Sequence, residues 1–307
     1  MKVLATRRLP GPAWDELGDV EVGALDGTRP DVEVLIVAHE TVDEAVLERL
    51  PSLRLVANYG VGYDRVDVAA CERRGIVVTN TPGVLDAATA DLALALILAV
   101  RRRVAEGDAL IRAGSWTTPW HEGPFLGSDV TGATLGIVGL GRIGAAVARR
   151  ARGFEMRVLY TQRHRVESEL ADWRELDALL GEADIVSLHT PLTAETHGLL
   201  SAERLALLRD GATLVNTARG AVVDEEALTR ELVSARISAG LDVFVHEPGV
   251  PEALVGLPNV VLTPHIASAT VETRAAMTRV VVDNVLALER GEPLPTRVCP
   301  RSVPDVS

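Results

Sequence analysis

Thr134-Leu135-Gly136-Ile137-Val138-Gly139-Leu140-Gly141-Arg142-Ile143-Gly144 is an apolar, β-branched run that ends in a glycine-rich turn. A run this apolar reads as a strand buried on both faces. Helix-forming Ala, Val and Arg follow over 142–152, and a second strand-like run lies at 156–160. Gly139, Gly141 and Gly144 therefore make a G-x-G-x-x-G between strand and helix. The first glycine permits the tight turn, the second lets backbone approach a pyrophosphate, and the third lets helix pack on strand. The helix start adds unpaired N–H groups suited to an anion. In that context the pattern predicts dinucleotide binding, with Gly139, Gly141, Arg142, Ile143 and Gly144 as the contacts of the turn.

Outward from this turn, short β-branched runs alternate with longer amphipathic stretches. Strands are expected at 3–6, 32–38, 53–58 and 76–80, then at 134–139, 156–160, 184–188, 212–216, 238–243 and 259–263. Helices are expected between them, with long ones at 86–103 and 270–290. Gly, Pro and Trp concentrate in a linker-like stretch at 114–131. The alternation predicts the α/β class, as two doubly wound, parallel-sheet, Rossmann-like domains.

A chain of 307 residues has room for two such domains. Its hydrophobic content of 47% and charged content of 24% exclude wholesale disorder. A net charge of −12 argues against nucleic acid or an anionic membrane as partner. The apolar run at 92–100 is too short to span a bilayer, which takes about 20 residues, and the first residues lack a signal-peptide pattern. With two cysteines, Cys71 and Cys299, and no disulfide framework, a cytoplasmic protein is expected. Lys2 is the only lysine, which excludes Schiff-base chemistry at an interior amine. The histidines show no metal-ligand spacing, so no metal is expected.

NAD sites carry a carboxylate at the end of the second strand to bind the ribose 2′-hydroxyl. Here that strand runs into Thr161-Gln162-Arg163-His164-Arg165, with no carboxylate and two arginines. A guanidinium can pair with a 2′-phosphate, so NADPH is the expected coenzyme and NAD the second choice. Three groups follow later strands: Arg219 after 212–216, Glu247 after 238–243, and His265 after 259–263. Ligands of open α/β sheets bind at these strand ends. Arginine can hold a carboxylate and polarise a keto oxygen, and histidine can supply a proton. A carboxylate beside that histidine favours its charged form and fixes the ring. Together the three suit reduction of a 2-keto acid; each alone also fits an ordinary cap, ion pair or core histidine.

These residues resemble the D-isomer-specific 2-hydroxyacid dehydrogenases over nearly the whole chain. The resemblance rests on Asn58-Tyr59-Gly60-Val61-Gly62-Tyr63-Asp64, Asn80-Thr81-Pro82-Gly83, the turn above, His189-Thr190-Pro191-Leu192-Thr193, Asn216-Thr217-Ala218-Arg219-Gly220, Gly240-Leu241-Asp242-Val243-Phe244 and Thr263-Pro264-His265-Ile266-Ala267. Tyr160-Thr161-Gln162-Arg163 and Arg290-Gly291-Glu292-Pro293 are similar to the glyoxylate/hydroxypyruvate reductases within it. The resemblance implies that Arg219, Glu247 and His265 are the substrate arginine, the acid partner and the proton donor. It implies that the amides of Val61 and Gly62 hold the substrate carboxylate. Asp242 would orient the nicotinamide carboxamide, with Thr190, Pro191, Thr217 and Ala218 lining that half of the coenzyme. It implies a homodimer, with Trp116 or Trp120 of a loop at 114–125 reaching the partner. It also implies a discontinuous substrate domain, 1–100 plus 285–307, around a dinucleotide-binding domain at 101–284. Asp86 departs from the small polar residue expected there, and His246 adds an ionisable group beside Glu247. The rival activity is a D-3-phosphoglycerate or other D-2-hydroxyacid dehydrogenase using NAD. The rival of another class is a nucleotide-sensing corepressor-like binding protein.

Overall fold

The computed structural model describes residues 1–117 and 125–298. Trp120 and Cys299 lie outside them. The chain forms two compact units, Met1–Leu85 with Ser268–Ser307, and Asp86–Ala267.

The first unit opens with strands β1 (Val3–Ala5), β2 (Val20–Val22) and β3 (Val34–Val37), then helix α1 (Glu44–Glu48), β4 (Leu55–Asn58), α2 (Val68–Arg73) and β5 (Val77–Thr79). Its sheet has the order β2-β1-β3-β4-β5, every pair parallel. β1, β3 and β4 are buried along their whole length, as central parallel strands covered on both faces must be. β2 is a short edge strand beside Lys2, whose ammonium pairs with Glu21 at 3.1 Å. The alternation at 3–6 and 32–38 did not reveal it. Asp43 and Asp67 cap α1 and α2 through the amides of Val46 and Ala70, an interaction worth about 1 kcal/mol each.

The second unit begins with α3 (Asp86–Arg101) and α4 (Val104–Arg112), then β6 (Thr134–Val138), α5 (Arg142–Ala151), β7 (Arg157–Thr161) and β8 (Asp172–Trp173). It continues with α6 (Leu176–Glu182), β9 (Ile185–Leu188), α7 (Ala202–Leu205), β10 (Thr213–Asn216), α8 (Glu225–Val233), β11 (Ser238–Leu241) and β12 (Val260–Leu262). The seven strands, all parallel, run β12-β11-β10-β9-β6-β7-β8. The order reverses at β6, so the crevice at its C-terminal end is the switch point where nucleotides bind. One apolar cluster, including Leu179, Leu188, Leu214 and Leu232, lies beside this sheet, and a second gathers Ile97, Leu135, Ile137, Val147 and Tyr160.

The chain then returns to the first unit as α9 (Val271–Arg290), whose residue Ala275 packs so closely on Gly11 that a methyl there would sit 2.8 Å from the Ala275 Cβ. The Tyr59 hydroxyl donates to the Arg274 carbonyl at 2.9 Å.

These boundaries, after 85 and after 267, differ from the expected ones after 100 and after 284. Both long helices changed allegiance. α3 packs on β10, β11 and α5; Gly240 of β11 leaves the space that Leu96 fills, since a Cβ there would lie 2.8 Å from that of Leu96. α9 packs on β4 and the turn at 12–17. Among the described residues, no helix is long and apolar enough to cross a membrane.

Candidate active site

The glycine turn has the geometry its spacing predicts. Gly139 takes φ 97°, a conformation open chiefly to glycine, and a Cβ there would stand 2.8 Å from the carbonyl oxygen of His189. A Cβ on Gly144 would collide with the Gly139 carbonyl, which is why helix α5 packs so close to β6. Gly141 faces open space with nothing within 4 Å of a built Cβ. Arg142 and Ile143 begin α5, and Asp86 lies close enough to Arg142 to feel its charge. Burial raises the Asp86 carboxyl, and Arg142 opposes that rise.

At the end of β7, Thr161 is buried and no carboxylate follows. The Gln162 amide donates to the carbonyl of His164 at 2.7 Å. The Arg165 guanidinium stacks 5.4 Å from the Trp173 ring centre, while Arg163 is exposed.

Arg219, Glu247 and His265 all stand on loops leaving the C-terminal ends of β10, β11 and β12. Asn216 closes the first loop, accepting from Ala218 N at 3.0 Å and donating to Arg219 O at 2.9 Å. Gly220 then lies against the Phe244–Val245 peptide with no room for a methyl, so the Arg219 and Glu247 loops are pressed together. The Glu247 Oε1 accepts from Phe244 N at 3.1 Å, and Oε2 meets His265 Nδ1 at 2.8 Å. Burial pushes the Glu247 carboxyl up, but the His265 hydrogen bond and charge, the Phe244 amide and the Arg219 charge outweigh it. Its pKa lies below the usual carboxylate value. His246 is exposed.

His265 has φ 54°, an uncommon left-handed backbone for a residue with a side chain. Such strain persists only where the surroundings impose it. Asp242 does so. It is fully buried, and its carboxylate accepts from Thr263 Oγ1 at 2.6 Å, Ile266 N at 2.8 Å and Ala267 N at 2.9 Å. The Asp242 carbonyl also accepts from His265 N at 2.9 Å. The resemblance pairs Asp242 with the nicotinamide; within its own unit this carboxylate spans the turn that carries His265.

Thr190 and Pro191 follow β9, and Thr217 and Ala218 follow β10, all at this same edge of the sheet. The buried Thr217 Oγ1 has no hydrogen-bond partner among the described residues. Open space at Gly141 and an orphaned hydroxyl at Thr217 fit an added polar group along the edge. His189, to which the sequence assigns no role of its own, has its ring nitrogen Nε2 2.9 Å from Ser187 Oγ. Burial lowers its pKa from 6.5 to about 4, so the ring is neutral at pH 7. Val61 and Gly62 lie in the first unit, on the loop after β4. Among the described residues no group of His, Cys, Asp and Glu could hold a metal.

A doubly wound unit with a G-x-G-x-x-G switch point and an Arg, Glu and His at the same sheet edge defines a nucleotide-dependent α/β enzyme. The family model described as D-isomer specific 2-hydroxyacid dehydrogenase, NAD binding domain, matches residues 94–267. The glyoxylate reductase of Pyrococcus furiosus is 50% identical over an alignment of 294 residues that covers 93% of this chain and 88% of that protein. A solved structure from Thermus thermophilus superposes with a TM-score of 0.89 at 47% identity, covering 97% of this chain and all (100%) of that one. The NADPH-dependent glyoxylate/hydroxypyruvate reductase of Sinorhizobium meliloti, in complex with NADP and malonate, gives a TM-score of 0.88 at 37% identity, covering 97% of this chain and 96% of that one. The chain belongs to the D-isomer specific 2-hydroxyacid dehydrogenase family.

Proposed function

We propose that this enzyme reduces small 2-keto acids, glyoxylate and hydroxypyruvate first, to 2-hydroxy acids, with NADPH as the preferred coenzyme and NADH as the second. The observation that carries the reading is the 2.8 Å contact between His265 Nδ1 and an ionised Glu247, on loops packed beside that of Arg219. The names of the Pyrococcus and Sinorhizobium relatives support the substrates. Gly139, Gly141, Arg142, Ile143 and Gly144 would hold the pyrophosphate, and Thr190, Pro191, Thr217, Ala218 and Asp242 the nicotinamide half. Arg163, with Thr161 and Gln162, would take the 2′-phosphate, because Arg165 is stacked on Trp173 and no carboxylate opposes an anion there.

When bound, the nicotinamide supplies the hydride. Arg219 holds the substrate carboxylate and draws charge toward the keto oxygen. Glu247 fixes the orientation of the His265 ring through Nδ1. Nε2 then delivers the proton to the developing alkoxide, and the ring recovers a proton from water. In this reading the unit Asp86–Ala267 binds the dinucleotide and the other unit holds the substrate amides of Val61 and Gly62. A homodimer and a cytoplasmic location belong to the same reading.

The test is a steady-state panel of glyoxylate, hydroxypyruvate, pyruvate and phosphohydroxypyruvate, each with NADPH and NADH, on the wild type and His265→Ala. Glyoxylate and hydroxypyruvate with NADPH should give the highest kcat/KM. The variant should lose about 100-fold or more in kcat while still binding NADPH, the usual scale for a positioned general acid. Equal use of both coenzymes would remove the NADPH assignment. Full activity in the variant would remove His265 from the mechanism, and no turnover of any keto acid would sink the whole reading.

A further inference from the structure

The loop Gly60-Val61-Gly62 follows β4, and every carbonyl in it is held by an asparagine amide. Asn58, 5% exposed at the end of β4, donates through Nδ2 to Gly60 O at 3.0 Å and to Gly62 O at 2.9 Å. Asn80, just past the neighbouring strand β5, donates through Nδ2 to Val61 O at 2.8 Å. The Thr81 amide gives Gly60 O a second bond at 3.0 Å. A trans peptide is planar, and its N–H points opposite to its C=O. Tethering the carbonyl of Gly60 therefore fixes the direction of the Val61 N–H, and tethering that of Val61 fixes the Gly62 N–H. Both N–H groups have no hydrogen-bond partner among the described residues. Successive backbone N–H groups left unpaired in a turn are the elements of an anion-binding concavity.

The clamp is itself anchored. Thr296 Oγ1 donates to Asn80 O at 2.6 Å, and Asn80 N donates to Thr296 O at 3.3 Å. Thr296 in turn pairs with Asn284, which is fully buried on α9: Asn284 Nδ2 donates to Thr296 Oγ1 at 2.8 Å, and Thr296 N donates to Asn284 Oδ1 at 3.2 Å. A chain of amide hydrogen bonds thus runs from the interior of α9 to the carbonyl of Val61.

We infer that Asn58 and Asn80 are positioning residues, which by holding the carbonyls of residues 60–62 keep the Val61 and Gly62 N–H groups set to bind a carboxylate. Taking that carboxylate as the substrate's rests on the functional reading above. An asparagine that only stabilised the fold would affect all steps alike; one that sets an anion pocket weakens carboxylate binding and spares the chemistry.

The experiment compares wild type with Asn58→Ala, Asn80→Ala and Asn80→Gln. Each alanine variant should raise KM for glyoxylate by about 10-fold, the scale of one lost hydrogen bond to the bound state. At saturating glyoxylate kcat should stay within about 3-fold, NADPH should bind as before, and Asn80→Gln, which keeps an amide donor, should recover part of the KM. In the wild type, added oxalate should shift the Val61 and Gly62 amide resonances, and the alanine variants should lose that shift. An unchanged KM in both alanine variants, kcat falling as much as kcat/KM, or no oxalate shift at either amide in the wild type overturns the inference. If the wild type reduces no keto acid and yet shows the oxalate shift, the functional reading falls and the clamp stands.

Discussion

Asp242 and Asn216 do for two loops of the second unit what Asn58 does in the first. Each is a buried polar residue at or just past the end of a strand, and each folds its side chain back on the backbone that follows. A buried carboxylate or amide is costly unless bonded, so these side chains impose one loop conformation. His189 is a different single-residue case. Its neutral ring sits against Ser187, and its pKa of about 4 lies below the 6.5 of an exposed histidine. The unfolded chain therefore takes up a proton first as pH falls. The stability associated with the neutral ring is present above pH 6.5 and is lost between 6.5 and about 4. Thermal melting of the wild type should show a falling midpoint across that window, and His189→Asn should show a shallower fall there. Identical slopes would mean that the ring protonates as freely folded as unfolded.

At the scale of elements, the turn after β10 and the loop after β11 meet with no room for an added methyl. Gly220→Ala would force the Phe244–Val245 peptide to move, and crowding of this kind costs about 1–3 kcal/mol. The expected result is a lower melting temperature together with loss of turnover, because the shift separates Arg219 from Glu247. A variant with wild-type melting and activity would show that the loops can part freely. The strands around the site were legible because central parallel strands are continuous apolar runs, and β6, β9 and β10 match them closely. β2 was not, since a three-residue edge strand between Asp19 and Gly23 carries only half of its surface inward. Nor was α4, a nine-residue helix that follows directly on α3 and buries no residue of its own. Arg219, Glu247 and His265 were legible as candidates because ionisable residues just past strand ends stand out in the sequence. Asn58, Asn80 and Ser187 were not: their partners are carbonyls and a ring whose positions depend on how strands and loops are placed in space.

Across the molecule, the discontinuity of the first unit came from the family resemblance and not from periodicity, and its boundaries lie elsewhere than expected. A long helix can cover either sheet, and the close fits of Leu96 on Gly240 and of Ala275 on Gly11 depend on contacts far apart in sequence. α4 and its flanks also leave four large apolar side chains exposed, Val104 at 57%, Ile111 at 59%, Trp116 at 54% and Leu126 at 75%. Exposed apolar patches of that sort mark association surfaces, and the proposed homodimer would cover them. Sedimentation velocity should give a dimer, with Ile111→Arg and Trp116→Arg shifting it to monomer; a wild-type monomer at micromolar concentration would remove the dimer from the functional reading.

The Lys2–Glu21 pair at the β2 edge has a practical consequence. Every other basic side chain of Lys or Arg type is a guanidinium, so acylating reagents meet a single ε-amine, on the five-stranded unit. Amine coupling of a surface, tag or dye would therefore be confined to Lys2 and the chain's α-amine, leaving the side chains of the glycine turn and of Arg219, Glu247 and His265 chemically untouched.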